Sequence, residues 1–202
     1  MRRSILLASP ILLASTVLLL LDFILGDSES FIFINQEITN PFLDLACAYL
    51  SIIFFSLFFA SYLILAFISH RSAYRASGII SIISGPVCYG FGSLVKNLIK
   101  RPRPFEVLSA RVLGLWHTSS FSFPSTTTML VFGFALPILF EKPRWGAVLT
   151  IISSFVGFSV IYTGFHYPGD VIVGVLLSTA ITLGMNAMKP WVARLIESKN
   201  NS

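Results

Sequence analysis

Tyr162-Thr163-Gly164-Phe165-His166-Tyr167-Pro168-Gly169-Asp170 joins two long apolar stretches and sets a histidine and a carboxylate one helical turn apart, where unpaired polar groups are costly. Two readings fit this run alone. His166 is a loop histidine at a membrane edge and Asp170 an acid in the first turn of the next helix, where negative charge suits the dipole. Alternatively, His166 is a nucleophile and Asp170 the partner that orients it. The segments brought to the same membrane face decide between them.

Working outward, the chain has 202 residues, 55% hydrophobic and only 11% charged, which excludes an ordinary soluble domain. A span needs about 20 apolar residues. Six candidates follow: Ser4–Leu25, Leu45–Ser69, Ser77–Leu98, Ser125–Phe140, Trp145–Phe165 and Gly169–Met188. The pattern predicts an all-α, polytopic integral membrane protein, a six-helix bundle forming a single domain over residues 1–202. The first apolar run is longer than a signal-peptide core and no Ala-x-Ala site follows, so it reads as a retained span. Between the first two spans, Asp27, Glu29 and Glu37 make an acidic connection. Phe31 to Ile34 are expected to dip into the interface there as a half-turn. The tail from Trp191 reads as a short amphipathic end, and Cys47 and Cys88 as small buried thiols with no metal-ligand spacing.

With alternating spans, Arg2, Arg3, Arg71, Arg75, Lys142, Arg144, Lys189, Arg194 and Lys199 fall on one side. That side is expected to be cytoplasmic, with both termini inside. Lys96, Lys100, Arg101, Arg103 and Arg111 lie at the opposite face and violate the rule, which calls for an anionic ligand there. The net charge of +5 is thus part topology and part site. It does not point to nucleic acid, because the chain has no soluble basic domain and no basic patch interleaved with aromatics.

Three polar segments converge on that outer face. Residues 96–104, Lys96-Asn97-Leu98-Ile99-Lys100-Arg101-Pro102-Arg103-Pro104, supply a point charge at Lys96 and a planar fork at Arg103, with prolines that stop the helix. Residues 122–128, Ser122-Phe123-Pro124-Ser125-Thr126-Thr127-Thr128, open the fourth span, where free N–H groups bind phosphate readily. The third is residues 159–170. Taken singly, the first is also a lipid-binding anchor and the second an ordinary capped helix start. Together, a histidine, its aspartate, and cations and N–H groups around phosphate oxygens make a phosphoryl-transfer centre.

The chain resembles the type 2 phosphatidic acid phosphatase and haloperoxidase superfamily. Lys96, six residues and then Arg103-Pro104 look like its first signature, Pro124-Ser125 the start of its second, and Ser159 with His166 and Asp170 its third. The compact length, Arg101-Pro102-Arg103-Pro104-Phe105 and Ser122-Phe123-Pro124-Ser125 are most similar to small polyprenyl diphosphate phosphatases. The resemblance implies that His166 attacks phosphorus to form a phosphohistidine and that Asp170 holds it. Lys96, Arg103, Ser125 and Ser159 would bind phosphate, with no metal or other cofactor. The implied partners are membrane lipids and a lipid phosphate or diphosphate substrate at the extracytoplasmic face.

Two positions depart from the signatures. Thr127 stands where the family has the histidine that protonates the leaving group, and Val160 where it has a phosphate-holding arginine. Threonine is no general acid near neutral pH, and such an acid contributes about 10²–10⁴-fold. A diphosphate needs it less, because it expels a phosphate monoester whose second pKa is about 6. Lys100, Arg101 or Arg111 are candidates to replace the charge missing at Val160, and His117 to reach the leaving oxygen; an interfacial loop histidine is the plainer reading of His117. Two functions follow from these residues: a lipid phosphatase hydrolysing an isoprenoid diphosphate or related lipid phosphate, or a pseudoenzyme that binds or moves lipid phosphates without hydrolysing them.

Overall fold

The computed structural model describes residues 1–69, 71–114 and 120–200. Its long helices are α1 (Arg2–Leu25), α4 (Ser51–Ile68), α5 (Ser72–Ile99), α7 (Thr126–Glu141), α8 (Pro143–Tyr162) and α9 (Pro168–Asn186). Short helices α2 (Asp27–Ile32), α3 (Pro41–Leu45) and α6 (Pro104–Val107) lie in the connections, and α10 (Lys189–Asn200) follows the bundle. A π-helical segment, Ala46–Leu50, joins α3 to α4, so that Pro41–Ile68 forms one candidate span. Five segments among the described residues are long and apolar enough to cross a membrane, and α7 is a sixth, shorter apolar helix.

α7 is short because it is the hub. At 1.5 Å per residue its 16 residues reach only about 24 Å. It is wrapped by α5, α8 and α9, and Met129, Ala135, Leu136 and Ile138 are completely buried. A central helix need not match the bilayer alone, since its neighbours meet the lipid. In a bilayer no hydrophobic difference between lipid and helix drives packing, and close approach of small residues does the work instead. A Cβ on Gly133 would stand 2.8 Å from the Gly85 Cα, so α5 and α7 touch backbone to backbone. Ser77 Oγ reinforces this crossing by donating to the Pro137 carbonyl at 3.1 Å.

The helix ends sort into two poles. At one, Lys189 pairs with Glu141, Ser72 donates to Glu197, and Lys142 lies 3.8 Å over the Tyr74 ring. At the other lie the ends of α1, α5 and α8 and the starts of α7 and α9, bringing the three polar segments together.

The Phe31–Ile34 segment, expected as an interfacial half-turn, leaves Phe33 exposed and turns Phe31 inward. It is helical, running from α2 into a π-helical turn, Phe33–Glu37. Phe31 is fully buried with its ring 5.7 Å from that of Tyr167. Asn35, also fully buried, explains the inward turn: its Nδ2 donates to the Arg111 and Tyr162 carbonyls, and its Oδ1 accepts from the Arg111 N–H at 2.8 Å. This buried amide is satisfied only where the segment lies.

Candidate active site

His166 is placed by the end of α8. Gly164 adopts φ +93°, and a Cβ there would meet the Arg111 carbonyl at 2.4 Å, so the turn and its close neighbour both require glycine. Beyond it, Phe165 and His166 N–H groups both donate to the Val160 carbonyl, at 3.0 and 3.1 Å. Pro168 then begins α9, and Asp170 takes the third position of its first turn, accepting from the Tyr167 N–H at 3.0 Å.

Asp170 is completely buried and both of its oxygens are engaged. Oδ2 accepts from Ser122 Oγ and stands 3.4 Å from His166 Nδ1; Oδ1 accepts from Arg101 at 2.9 Å. A carboxylate at Nδ1 favours the proton on that nitrogen, leaving the Nε2 lone pair directed away from Asp170. Arg103 Nη1 lies 3.4 Å from Nε2. Burial pushes the His166 imidazole down to about 4, against the pull of Asp170 and with help from Arg103 and Lys96, so the ring is neutral at physiological pH.

The predicted phosphate ligands divide into two groups. Arg103, only 3% exposed, sits beside His166: its Nη1 donates to the Phe165 carbonyl at 2.8 Å and its Nε to the Ser120 carbonyl at 2.7 Å. Ser159 lines the same cavity as His166, with its hydroxyl donating to the Phe155 carbonyl at 2.7 Å. Lys96 is buried and donates to the Phe121 carbonyl at 2.7 Å, bracing the loop before α7. Ser125 caps α7, its Oγ accepting from the Thr128 hydroxyl at 2.9 Å, while its N–H donates to the Asp170 carbonyl at 3.0 Å. Lys96 and Ser125 thus join the segments, whereas Arg103 and Ser159 face the cavity.

That cavity, about 480 Å³, is lined by His166, Arg103 and Ser120 together with apolar side chains such as Ile52, Leu130 and Val156. Thr127 and Val160 both line it. The two departures from the family signatures therefore fall in the wall of the cavity that His166 lines. Lys100 caps α5 in the left-handed conformation and is exposed. Arg101 is turned onto Asp170 and Asp27, outside the cavity wall. Arg111 is drawn 2.8 Å from Asp44, which also accepts from the Tyr162 hydroxyl. His117 lies outside the described residues. Sequence reasoning passed over Ser120, which accepts from Arg103 Nη2 at 3.0 Å, and Asp27, which pairs with Arg101. The signal for Asp27 was an acid at the end of the first span, facing the basic cluster.

Comparison with known proteins bears on these features. The family model described as the PAP2 superfamily matches residues 76–194. The chain is 32% identical over 109 residues to an undecaprenyl-diphosphatase of Sulfolobus acidocaldarius, covering 54% of this chain and 53% of that protein, about half its length. Among solved structures it is similar to LpxE of Aquifex aeolicus, with a TM-score of 0.57 and 28% identity, covering 77% of this chain and 91% of that one. A transmembrane PAP2 type phosphatidylglycerolphosphate phosphatase from Bacillus subtilis has a TM-score of 0.59 over 94% of this chain and 97% of its own; at 17% identity this is a likeness of fold.

Proposed function

The chain belongs to the PAP2 superfamily, and from that premise we propose that it is a membrane lipid phosphatase hydrolysing a polyprenyl diphosphate at the extracytoplasmic face through a phosphohistidine. The observation that carries this reading is His166, neutral and held between Asp170 and Arg103, at the head of an apolar cavity whose wall has Thr127 where an acid would stand. The undecaprenyl-diphosphatase of Sulfolobus acidocaldarius supports the choice of substrate.

His166 Nε2 attacks the terminal phosphorus while the bond to the bridging oxygen breaks, and the lipid leaves as its monophosphate. The Nδ1 proton stays on the ring, shared with Asp170, which stabilises the charged imidazole as the N–P bond forms. Arg103 and the N–H groups opening α7 receive the equatorial oxygens in this reading, which Arg103 beside Nε2 supports. Water then attacks the phosphohistidine, releasing inorganic phosphate and restoring the neutral ring. The first step runs without a proton donor at position 127 because the leaving group's second pKa is about 6. An alkoxide leaving group has a conjugate acid resembling water, at about 15.7, and lacks that advantage.

Purified protein in detergent, with a metal chelator present, is expected to release phosphate from a prenyl diphosphate and far less from phosphatidic acid. Tight binding of both lipids with no phosphate released from either would establish the binding-only pseudoenzyme that the threonine and valine also fit. The face is tested separately. A cysteine at exposed Ser109 is expected to react with an impermeant thiol reagent in intact cells and one at Arg71 is not; the reverse pattern would put the site in the cytoplasm.

A further inference from the structure

We infer that Arg101 and Asp27 are positioning residues for the His166–Asp170 pair, and that the turn between α1 and α2 is therefore a working part of the active site. This rests on the reading of His166 as the nucleophile. The basic cluster by itself suggests Arg101 as another phosphate ligand, but unlike Arg103 it does not line the cavity beside His166, and its guanidinium is turned to Asp170. Nη1 donates to Asp170 Oδ1 at 2.9 Å, Nη2 reaches Asp27 Oδ2 at 2.6 Å, and the group lies 3.8 Å from the centre of the Tyr167 ring. Both arms of the fork and one of its faces are occupied, on the side of Asp170 away from the imidazole.

Asp27 completes the arrangement. Its Oδ1 accepts from the Gly169 N–H at 2.8 Å, one of the amides that the first turn of α9 leaves without a helical partner. Its Oδ2 holds Arg101. One carboxylate thus fixes both the start of the helix that carries Asp170 and the cation that grips Asp170. Gly169 permits the approach, since a Cβ there would lie 3.2 Å from carboxylate oxygens of both Asp22 and Asp27. Asp27 lies outside the segment matched by the family model, which begins at residue 76.

The chemistry follows from the shared carboxylate. Oδ2 faces the imidazole, so the angle and charge it presents depend on how Oδ1 is held. Partners that orient a metal-bound histidine at one remove are typically worth about 10- to 100-fold in activity, and a loss of the same order is expected for this imidazole. Arg101 and Asp27 therefore act on the rate of attack and not on capture of the lipid.

The test measures kcat and KM on a prenyl diphosphate for Arg101→Met, Arg101→Lys, Asp27→Asn and the double variant Asp27→Asn with Arg101→Met. Arg101→Met is expected to lower kcat about 10- to 100-fold with KM within about twofold, and Arg101→Lys to recover part of the loss by keeping a charge against Asp170. The double variant is expected to be no slower than Arg101→Met by more than about twofold, because both residues act through one carboxylate. Loss confined to KM would make Arg101 a substrate ligand and overturn the inference, as would unchanged kcat or losses that multiply. A readout independent of turnover uses ¹⁵N-histidine labelling, practical with three histidines in the chain. His166 is expected to hold its proton on Nδ1 in the parent protein and to populate the Nε2 tautomer in Arg101→Met; the same tautomer in both would overturn the inference. Should the parent protein hydrolyse no lipid phosphate, the proposed function fails and the tautomer measurement decides this inference by itself.

Discussion

The two sides of the His166 ring are built differently. On the Nδ1 side every group is spoken for: Asp170 is buried and bonded through both oxygens, to Ser122, the Tyr167 amide and Arg101, and Arg101 is anchored in turn by Asp27. On the cavity side the two positions where the family signatures carry a histidine and an arginine hold Thr127 and Val160, both in the wall. In the function proposed above, one side orients the nucleophile and the other leaves the departing group to its own chemistry. The difference teaches that the buried histidine–carboxylate pair can be kept fully bonded while the facing wall departs from the family signatures.

Removing the nucleophile breaks this comparison most severely. His166→Ala is expected to lower turnover on the order of 10⁴-fold or more and to abolish the acid-labile phosphoenzyme, since His166 is the one histidine lining the cavity among the described residues. Phosphate release and phosphoenzyme trapping both measure it. Asp170→Asn is next, with an expected loss of about 10²- to 10⁴-fold in kcat, because the amide selects the wrong tautomer and cannot balance the charged ring. Retained lipid binding in a flotation or calorimetric assay would separate this loss from a disturbed pocket.

Rebuilding the cavity side sharpens the comparison instead. Thr127→His together with Val160→Arg is expected to raise kcat/KM on phosphatidic acid by about 10²-fold or more, and on a prenyl diphosphate by under about tenfold. The gain on the monoester should fade as pH rises through about 6.5, where a histidine acid loses its proton. Equal gains on both lipids would remove the leaving-group explanation.

The smallest effect is on pH dependence. Because burial depresses His166 to about 4, the nucleophile stays unprotonated well below the ordinary histidine range. The acid limb it contributes to kcat/KM should lie near 4. Its folded pKa is below the unfolded value of about 6.5, so the unfolded chain binds the proton first and stability falls as pH drops between these values. Thermal unfolding scans in detergent over that range check the sign.

Much of the bundle was legible because a span is a matter of length and apolarity. The fourth candidate, Ser125–Phe140, against Thr126–Glu141 in the structure, was marked by its unusual shortness, the property that its central position explains. Arg101 was not legible in the same way. Its direction depends on the left-handed turn at Lys100, φ 54°, and nothing in the order of five nearby cations says which of them meets Asp170. The burial of Phe31 was hidden for a related reason: an apolar run beside acids reads as interfacial, and the Asn35 amide, satisfied by carbonyls 76 and 127 residues away, draws Phe31 under Tyr167. Hydropathy fixes what lies along a helix, whereas long-range polar pairing fixes how helix ends close over one another.

The central claim is that position 127, a threonine in the cavity wall, supplies no proton to the leaving group. The most direct measurement is the dependence of kcat on leaving-group pKa across a series of phosphate esters and diphosphates in the parent protein, repeated in Thr127→His. Absence of a donor predicts a steep fall in rate with rising leaving-group pKa in the parent protein and a markedly shallower one in the variant. A shallow dependence already present in the parent protein would mean that a proton donor serves the site, and would contradict the role assigned here to Thr127.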